Sequence, residues 1–313
     1  MSRLVFVGRR VLQAIPVLFG ITVITFFLIR LIPGDPALQI LGQHYTAAAA
    51  KQVRHALGLD RPLWSQYLLF LTHLLHGNLG ESLFFKQPAR QVIEQRLAPT
   101  LFLVGYAAVL AAAISIPTGV VSALRRGRLF DQTARVVTLV GFAMPGFWLG
   151  IMLILLFAIK VPLFPVSGYG AGFVGHLDHL FLPALTIALG FSTIVVRTLR
   201  ASVLAAYAAD YVDTARIKGI SRVAILLRHV LRNAIVSVVV VFGINLAFLI
   251  GGTVIIENVF AIPGLGSLLV DSVSTRDYPV VQGVTLLFAV LVVAINLVTD
   301  LVHASLDPRV AAR

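Results

Sequence analysis

The sequence has no cysteine and little charge. Of its 313 residues, 12% are Asp, Glu, Lys or Arg, against 58% in the apolar set. The missing cysteine excludes a disulfide framework and a thiolate metal site. A soluble domain carries about 25% charged residues, so this chain has too little polar surface to cover a body in water. Lipid must be the solvent for much of it. A phosphate loop of the form Gly-x-x-x-x-Gly-Lys-Ser/Thr is also missing, so the chain is not itself an ATPase of that class. Gly190-Phe191-Ser192 lacks the closing glycine of a nucleophile elbow, and no assembled catalytic site is legible. Acids are scarcer than bases, 13 against 25, which leaves a net charge of +12.

What is present is a set of long uncharged runs. Six stretches hold no Asp, Glu, Lys or Arg: 11–29, 101–124, 136–159, 180–196, 234–256 and 280–299. A crossing helix needs about 20 apolar residues, with a range of about 17–25. The expected fold is therefore all-α, with six transmembrane helices. Pro16, Pro117, Pro145 and Pro183 fall in or near these runs. Neighbouring helices and hydroxyls can satisfy the carbonyls such prolines free. The first run is too long for a signal-peptide core, and Pro33-Gly34-Asp35-Pro36 follows it where a small-residue cleavage site would stand. It reads as an uncleaved span.

The bases fix an expected orientation. With the N-terminus in the cytoplasm, the inner segments hold Arg3, Arg9, Arg10, the group from Arg125 to Arg135, the group from Arg197 to Arg232, Arg309 and Arg313. These are 16 of the 25 basic residues. The outer segments balance nearly to zero. The excess charge is thus a topology signal, and a nucleic-acid partner loses its support.

The connections carry the remaining pattern. The segment 31–100 lies outside and reads as helical. Thr46 can cap a helix that Gly58 stops, and Asp60 can cap a second with Pro62 in its first turn, ending at His76-Gly77-Asn78. Trp64, Tyr67, Leu68, Leu71 and Leu75 would form one apolar face, along the outer interface or packed on the extracytoplasmic end of the bundle, with a re-entrant segment as the rival. The inner segment 197–233 reads as a helix from Ala205 to Lys218, a left-handed cap at Gly219, and a new helix capped by Ser221. On charge alone, this segment is a solvated basic surface. Within the runs, Asn245 and Asn296 line a pore or bond between helices. Glu257, just past the fifth run, faces an outer mouth or marks the water boundary. His73 with His76, and His176 with His179, are i, i+3 pairs, too few for a metal that needs three or four ligands. Intramembrane charge, the mark of many secondary transporters, is missing from all six runs.

The inner segment includes Asp210-Tyr211-Val212-Asp213-Thr214-Ala215-Arg216-Ile217-Lys218-Gly219. It resembles the EAA loop of ABC-importer permeases: an acid, two small residues, three others, then glycine. His229-Val230-Leu231-Arg232 departs from the general continuation of that loop and is similar to the dipeptide/oligopeptide branch. Glu257-Asn258-Val259-Phe260-Ala261-Ile262-Pro263-Gly264-Leu265-Gly266, Arg276-Asp277-Tyr278-Pro279 and Leu306-Asp307-Pro308-Arg309 also look like that branch. Pro33-Gly34-Asp35-Pro36, Leu57-Gly58-Leu59 and His76-Gly77-Asn78-Leu79-Gly80 resemble its B-type subunit.

The resemblance implies a type I permease fold of three parts: 1–30 with the first span, an extracytoplasmic helical loop 31–100, and a five-helix core 101–313 around the coupling loop 197–233. It implies a peptide importer of the inner membrane with both termini in the cytoplasm. It implies as partners a second, related permease, two ATPase subunits that bind ATP and Mg, and an extracytoplasmic binding protein, with no cofactor in this chain. Asp210, Asp213, Thr214, Ala215, Arg216, Lys218 and Gly219 would then couple to the ATPase through a helix within 205–222. Asn245, Glu257 and Asn296 would be pore or gate residues. Dipeptides, longer peptides, glutathione-like peptides and nickel chelates are all cargo within similar families.

Overall fold

The computed structural model describes residues 3–31, 46–56 and 60–306. Pro33-Gly34-Asp35-Pro36, Leu57-Gly58-Leu59 and Asp307-Pro308-Arg309 lie outside these residues. Regular structure in the described residues is helical, apart from one isolated bridge between Glu81 and Pro88. In chain order the helices are α1 (Arg3–Leu31), α2 (Ala47–Ala56), α3 (Leu63–Leu75), α4 (Ala89–Leu124), α5 (Leu129–Ala143), α6 (Gly146–Lys160), α7 (Gly172–Tyr207), α8 (Asp210–Ile217), α9 (Arg222–Val259), α10 (Leu265–Ser274) and α11 (Tyr278–Leu306).

Five of these are long and apolar enough to cross a membrane: α1, α4, α7, α9 and α11. The sixth expected run, 136–159, is not one straight helix. It is the pair α5 and α6, bent by 105° at a short break, and counts as a sixth crossing only if the pair is one span. The cause is local. Pro145 has no N–H to donate, and its ring pushes Met144 out of the helical region, to ψ 134°. Each half has 15 residues, about 22 Å at 1.5 Å per residue, which falls short of a bilayer core alone.

Packing divides the chain into two compact units. One comprises Met1–Arg10, Pro99–Ser267 and Leu291–Arg313, and the other Val11–Ala98 and Leu268–Val290. In the first unit α7 is the central element. Leu180, Leu182, Ala184, Ala188, Phe191, Val195, Leu199 and Val203 on it are all buried. At 36 residues it is about 54 Å long, more than the hydrocarbon thickness, so its ends stand outside the lipid core. Two clusters surround it. One joins Leu199 and Val203 to Val212, Ala215, Ile225 and Val230; the other joins Leu180 and Leu182 to Leu103, Phe260 and Ile262. Gly119 and Gly150 allow close approach: a Cβ there would press on Leu199 and on the Phe260 ring, each at 3.0 Å.

In the second unit α3 packs on α1. Phe26 is buried against the rings of Tyr67 and Phe70, and the hydroxyls of Thr22 and Tyr67 share a hydrogen bond of 2.7 Å. Of the expected apolar face, Tyr67 packs inward and Leu71 is half-buried. Gln66 is buried and donates to the Arg61 carbonyl at 2.8 Å, while Trp64, Leu68 and Leu75 are exposed. In contact with lipid an exposed apolar side chain costs nothing, whereas an unbonded amide costs several kcal/mol, on the order of 2–7. Thr46 caps α2 as expected, its Oγ1 accepting from Ala49 N at 3.1 Å. Asp60 does not cap α3. The His55 ring, 2.6 Å away, engages its carboxylate and holds it below the usual range. A buried Asp277 gathers the loop that follows α3, accepting from the Ser82 hydroxyl and from the N–H groups of Leu83 and Phe84.

Candidate functional site

The segment singled out by its motif folds as a short helix between two long ones. The expected helix from Ala205 to Lys218 is interrupted. Residues 205–207 finish α7, Ala209 is extended, and α8 starts afresh at Asp210. The interruption turns α8 so that Val212 and Ala215 enter the cluster with Leu199, Val203, Ile225 and Val230. A straight continuation of α7 would carry both into solvent.

The end of α8 is a Schellman turn. Ile220 N bonds to Ala215 O at 3.1 Å and Gly219 N to Arg216 O at 2.9 Å. Gly219 has φ +75°, and nothing lies within 4 Å of where its Cβ would be. Glycine is required there by backbone conformation and not by space. Ser221 then caps α9, accepting from Ala224 N at 3.4 Å. Tyr211 Oη accepts from Asn233 Nδ2 at 3.1 Å and ties α8 to the next helix. The result is a rigid knuckle. Asp213 and Arg216 form an exposed ion pair of 2.9 Å, and Asp210, Thr214 and Lys218 are exposed with them. The acids lie in the first turn and the bases toward the end, which complements the helix dipole. Ala215 is buried, so its part is to seat the helix.

Reading the sequence missed Ile217. It is 87% exposed between Arg216 and Lys218, with Val223 and Leu227 also exposed on the following helix. The signal was available: on a helix, Ile217 falls on the face opposite Val212 and Ala215. An apolar side chain this exposed, on a rigid helix rimmed by charge, suits docking of another protein.

Glu257 occupies the opposite kind of site. It is fully buried at the end of α9. Its Oε1 accepts from Thr100 Oγ1 at 2.6 Å, and its Oε2 accepts from Gly266 N at 2.7 Å and Ser267 N at 3.0 Å. Thr100 Oγ1 in turn accepts from Leu265 N at 2.8 Å. The carboxylate therefore satisfies the free N–H groups that open α10. Gly264 and Gly266 are needed for space, since a Cβ on either would collide with Glu257 or with the backbone of Val254. Glu257 neither faces an open mouth nor marks the water boundary in this structure; it locks the α9–α10 turn.

The remaining residues separate. Asn245 Nδ2 donates to Val241 O, one turn back on its own helix, at 2.7 Å. Asn296 is exposed on α11. Gly243 lets α11 pass close by, because a Cβ there would strike Thr299. The His176 ring stacks on Tyr169 with centroids 3.9 Å apart, and the Nδ1 atoms of His76, His176 and His179 each meet a backbone carbonyl. Among the described residues no group of three His, Cys, Asp or Glu side chains converges. A third buried acid beside Asp277 and Glu257 is Asp131, which reading the sequence did not single out. It receives Arg200 through Nε and Nη2 at 2.7 and 2.9 Å, and Gly127 N at 2.9 Å.

Residues 115–312 match the family described as binding-protein-dependent transport system inner membrane component, and residues 3–101 match its N-terminal companion. The chain is 36% identical over 332 residues to the dipeptide transport system permease protein DppB of Escherichia coli (strain K12), with 97% of this chain and 98% of that protein covered. It is 38% identical over 329 residues to the di/tripeptide transport system permease protein DppB of Pseudomonas aeruginosa, at the same coverage. Among solved structures, the MetNI methionine ABC transporter in an inward-facing conformation overlays with a TM-score of 0.59 at 17% identity, covering 69% of this chain and 97% of that one. That likeness is one of fold.

Proposed function

The chain belongs to the binding-protein-dependent transport system inner membrane component family, as a multi-pass permease of the peptide ABC-importer type, and we propose that it moves dipeptides or short oligopeptides through a pore shared with a second, related permease. Two ATPase subunits bind ATP and Mg and drive the cycle, and an extracytoplasmic binding protein delivers the cargo. The chain itself catalyses no reaction. Its termini and α8 lie in the cytoplasm, as the distribution of arginines supports.

The observation that carries the coupling reading is α8 itself. Val212, Ala215 and the Gly219 turn hold it rigidly, yet it offers Asp213, Arg216, Ile217 and Lys218 to a partner. A push on such a helix reaches α7 and α9 through packed side chains, which a loose loop would absorb. Asn296, exposed on α11, is left as a pore or subunit-contact residue.

The test is to express the tagged chain with its chromosomal neighbours, purify it in mild detergent, and assay peptide uptake in cells. A second permease and ATPase subunits are expected in the purified material. Asp213→Arg is expected to insert normally while uptake falls about tenfold or more, the scale of about 1.4 kcal/mol lost at the contact. Recovery of the chain alone, active when reconstituted, would overturn the assignment of partners. Normal uptake by Asp213→Arg would overturn the coupling role of α8.

A further inference from the structure

We propose that the turn between α4 and α5 is a binding site for the headgroup of an anionic phospholipid. The turn reads Arg125-Arg126-Gly127-Arg128-Leu129-Phe130-Asp131. It joins the end of a membrane-crossing helix at Leu124 to the start of another apolar helix at Leu129, so it lies at a membrane surface whichever way the chain is oriented.

Four observations meet there. The turn is shaped in advance: Gly127 has φ +77°, its N–H donates to Asp131, and Gln132 Nε2 donates back to its carbonyl at 3.2 Å. The single acid of the turn is withdrawn, since Asp131 is fully buried and engaged by Arg200. The three arginines of the turn are exposed and make no ion pair among the described residues. Beside them stand exposed apolar side chains: Leu124, Leu129 at 79% and Phe130.

Three free guanidiniums next to exposed leucine and phenylalanine form an amphipathic knuckle. Leu129 and Phe130 suit the acyl layer. The guanidinium fork suits the phosphate above it bidentately, with the arginine stems lying along the apolar boundary. Anionic lipid attracts such residues by about fivefold each, equal to about 1 kcal/mol. An acidic partner protein would meet the arginines equally well. It would not call for three exposed apolar side chains at the level of a membrane helix end.

The test uses the chain purified with whatever subunits accompany it, exchanged into nanodiscs of equal phosphatidylglycerol and phosphatidylcholine, then extracted gently for native mass spectrometry. Wild-type protein is expected to retain phosphatidylglycerol over phosphatidylcholine by about tenfold or more. The triple variant R125Q/R126Q/R128Q is expected to lose that preference. The triple lysine variant, which keeps charge but not the bidentate fork, is expected to hold part of it. Leu129→Ser, which leaves every charge in place, is expected to weaken retention of both lipids, and its intact purification separates lipid loss from misfolding. Equal retention of the two lipids by wild-type protein would overturn the proposal, as would an unchanged preference in the glutamine variant. Loss of an accompanying subunit from that variant, with lipid retained, would assign the arginines to a protein contact and overturn it too.

Discussion

Gly219 and Gly264 each follow an acidic residue in a turn that ends one helix and leads to the next, and the two turns work by opposite means. Around Gly219 there is open space, and only the left-handed backbone demands glycine. Its acid, Asp213, is exposed and pairs with Arg216 across the helix surface. Around Gly264 there is no space, and its acid, Glu257, is buried and bonded to three donors. The first turn presents its charges outward, where a partner can take them. The second consumes its charge internally, where it fixes one helix to the next. The same residue types are therefore presented outward in one place and consumed internally in the other, and burial decides between them.

Substitutions should break this contrast in a fixed order. Gly264→Val must displace the Glu257 carboxylate from its donors, so we expect a loss of about 3 kcal/mol or more, read as a lower thermal midpoint in detergent and a lower level in membranes. A normal midpoint would mean that the turn opens readily. Glu257→Gln keeps the shape but replaces charge-assisted bonds and turns an amide donor toward N–H groups. We expect a loss of about 1.5–3 kcal/mol in the same assay, with no change in how the ATPase subunits bind.

At the other turn the cost to stability shrinks and the cost to function grows. Gly219→Val forces a branched side chain into a left-handed conformation, at about 1–2 kcal/mol, while space around it stays free. Membrane insertion should survive, and peptide uptake should fall. Unchanged uptake with normal expression would remove the need for a stiff α8. Ile217→Ser should move the thermal midpoint by no more than the equivalent of about 0.5 kcal/mol. It should nonetheless reduce the ATPase recovered in a pull-down, and full recovery would show that the exposed isoleucine is idle. Asp213→Asn removes only an exposed ion pair, for which we expect about 0.5 kcal/mol or less in stability.

Much of the fold could be read from local pattern. The uncharged runs marked five long helices and the bent pair, because lipid selects composition over a whole span. Gly219 as a left-handed cap, Ser221 as an N-cap and Thr46 as an N-cap were legible because each acts within three or four residues of itself. Other features were not. Pro145 lay in a run read as one crossing helix, and the 105° bend beside it was not legible from local pattern. Asp60 had the position of a cap and was taken by His55 instead. The apolar face expected of α3 is split: Tyr67 packs on α1, while Trp64, Leu68 and Leu75 are exposed, because burying Gln66 with a partner matters more than hiding leucine from lipid. Ile217 could have been found by projecting α8 as a helix. Asp131 could not, since Arg200 lies 69 residues away along the chain.

The sequence by itself determined that this is a membrane-spanning helical chain, and through its motifs which family it belongs to. These properties follow from composition and short-range spacing, which survive without a fold. Only the tertiary structure decided which charges are used internally and which are offered outward. Asp131 and Glu257 are withdrawn, Asp213 and the arginines of the α4–α5 turn are presented, and no residue's neighbours along the chain distinguish the two groups. Burial, and the partners found at sequence distances of 69 and 157 residues, make the distinction, because a charge taken from water survives only where donors from elsewhere in the chain meet it.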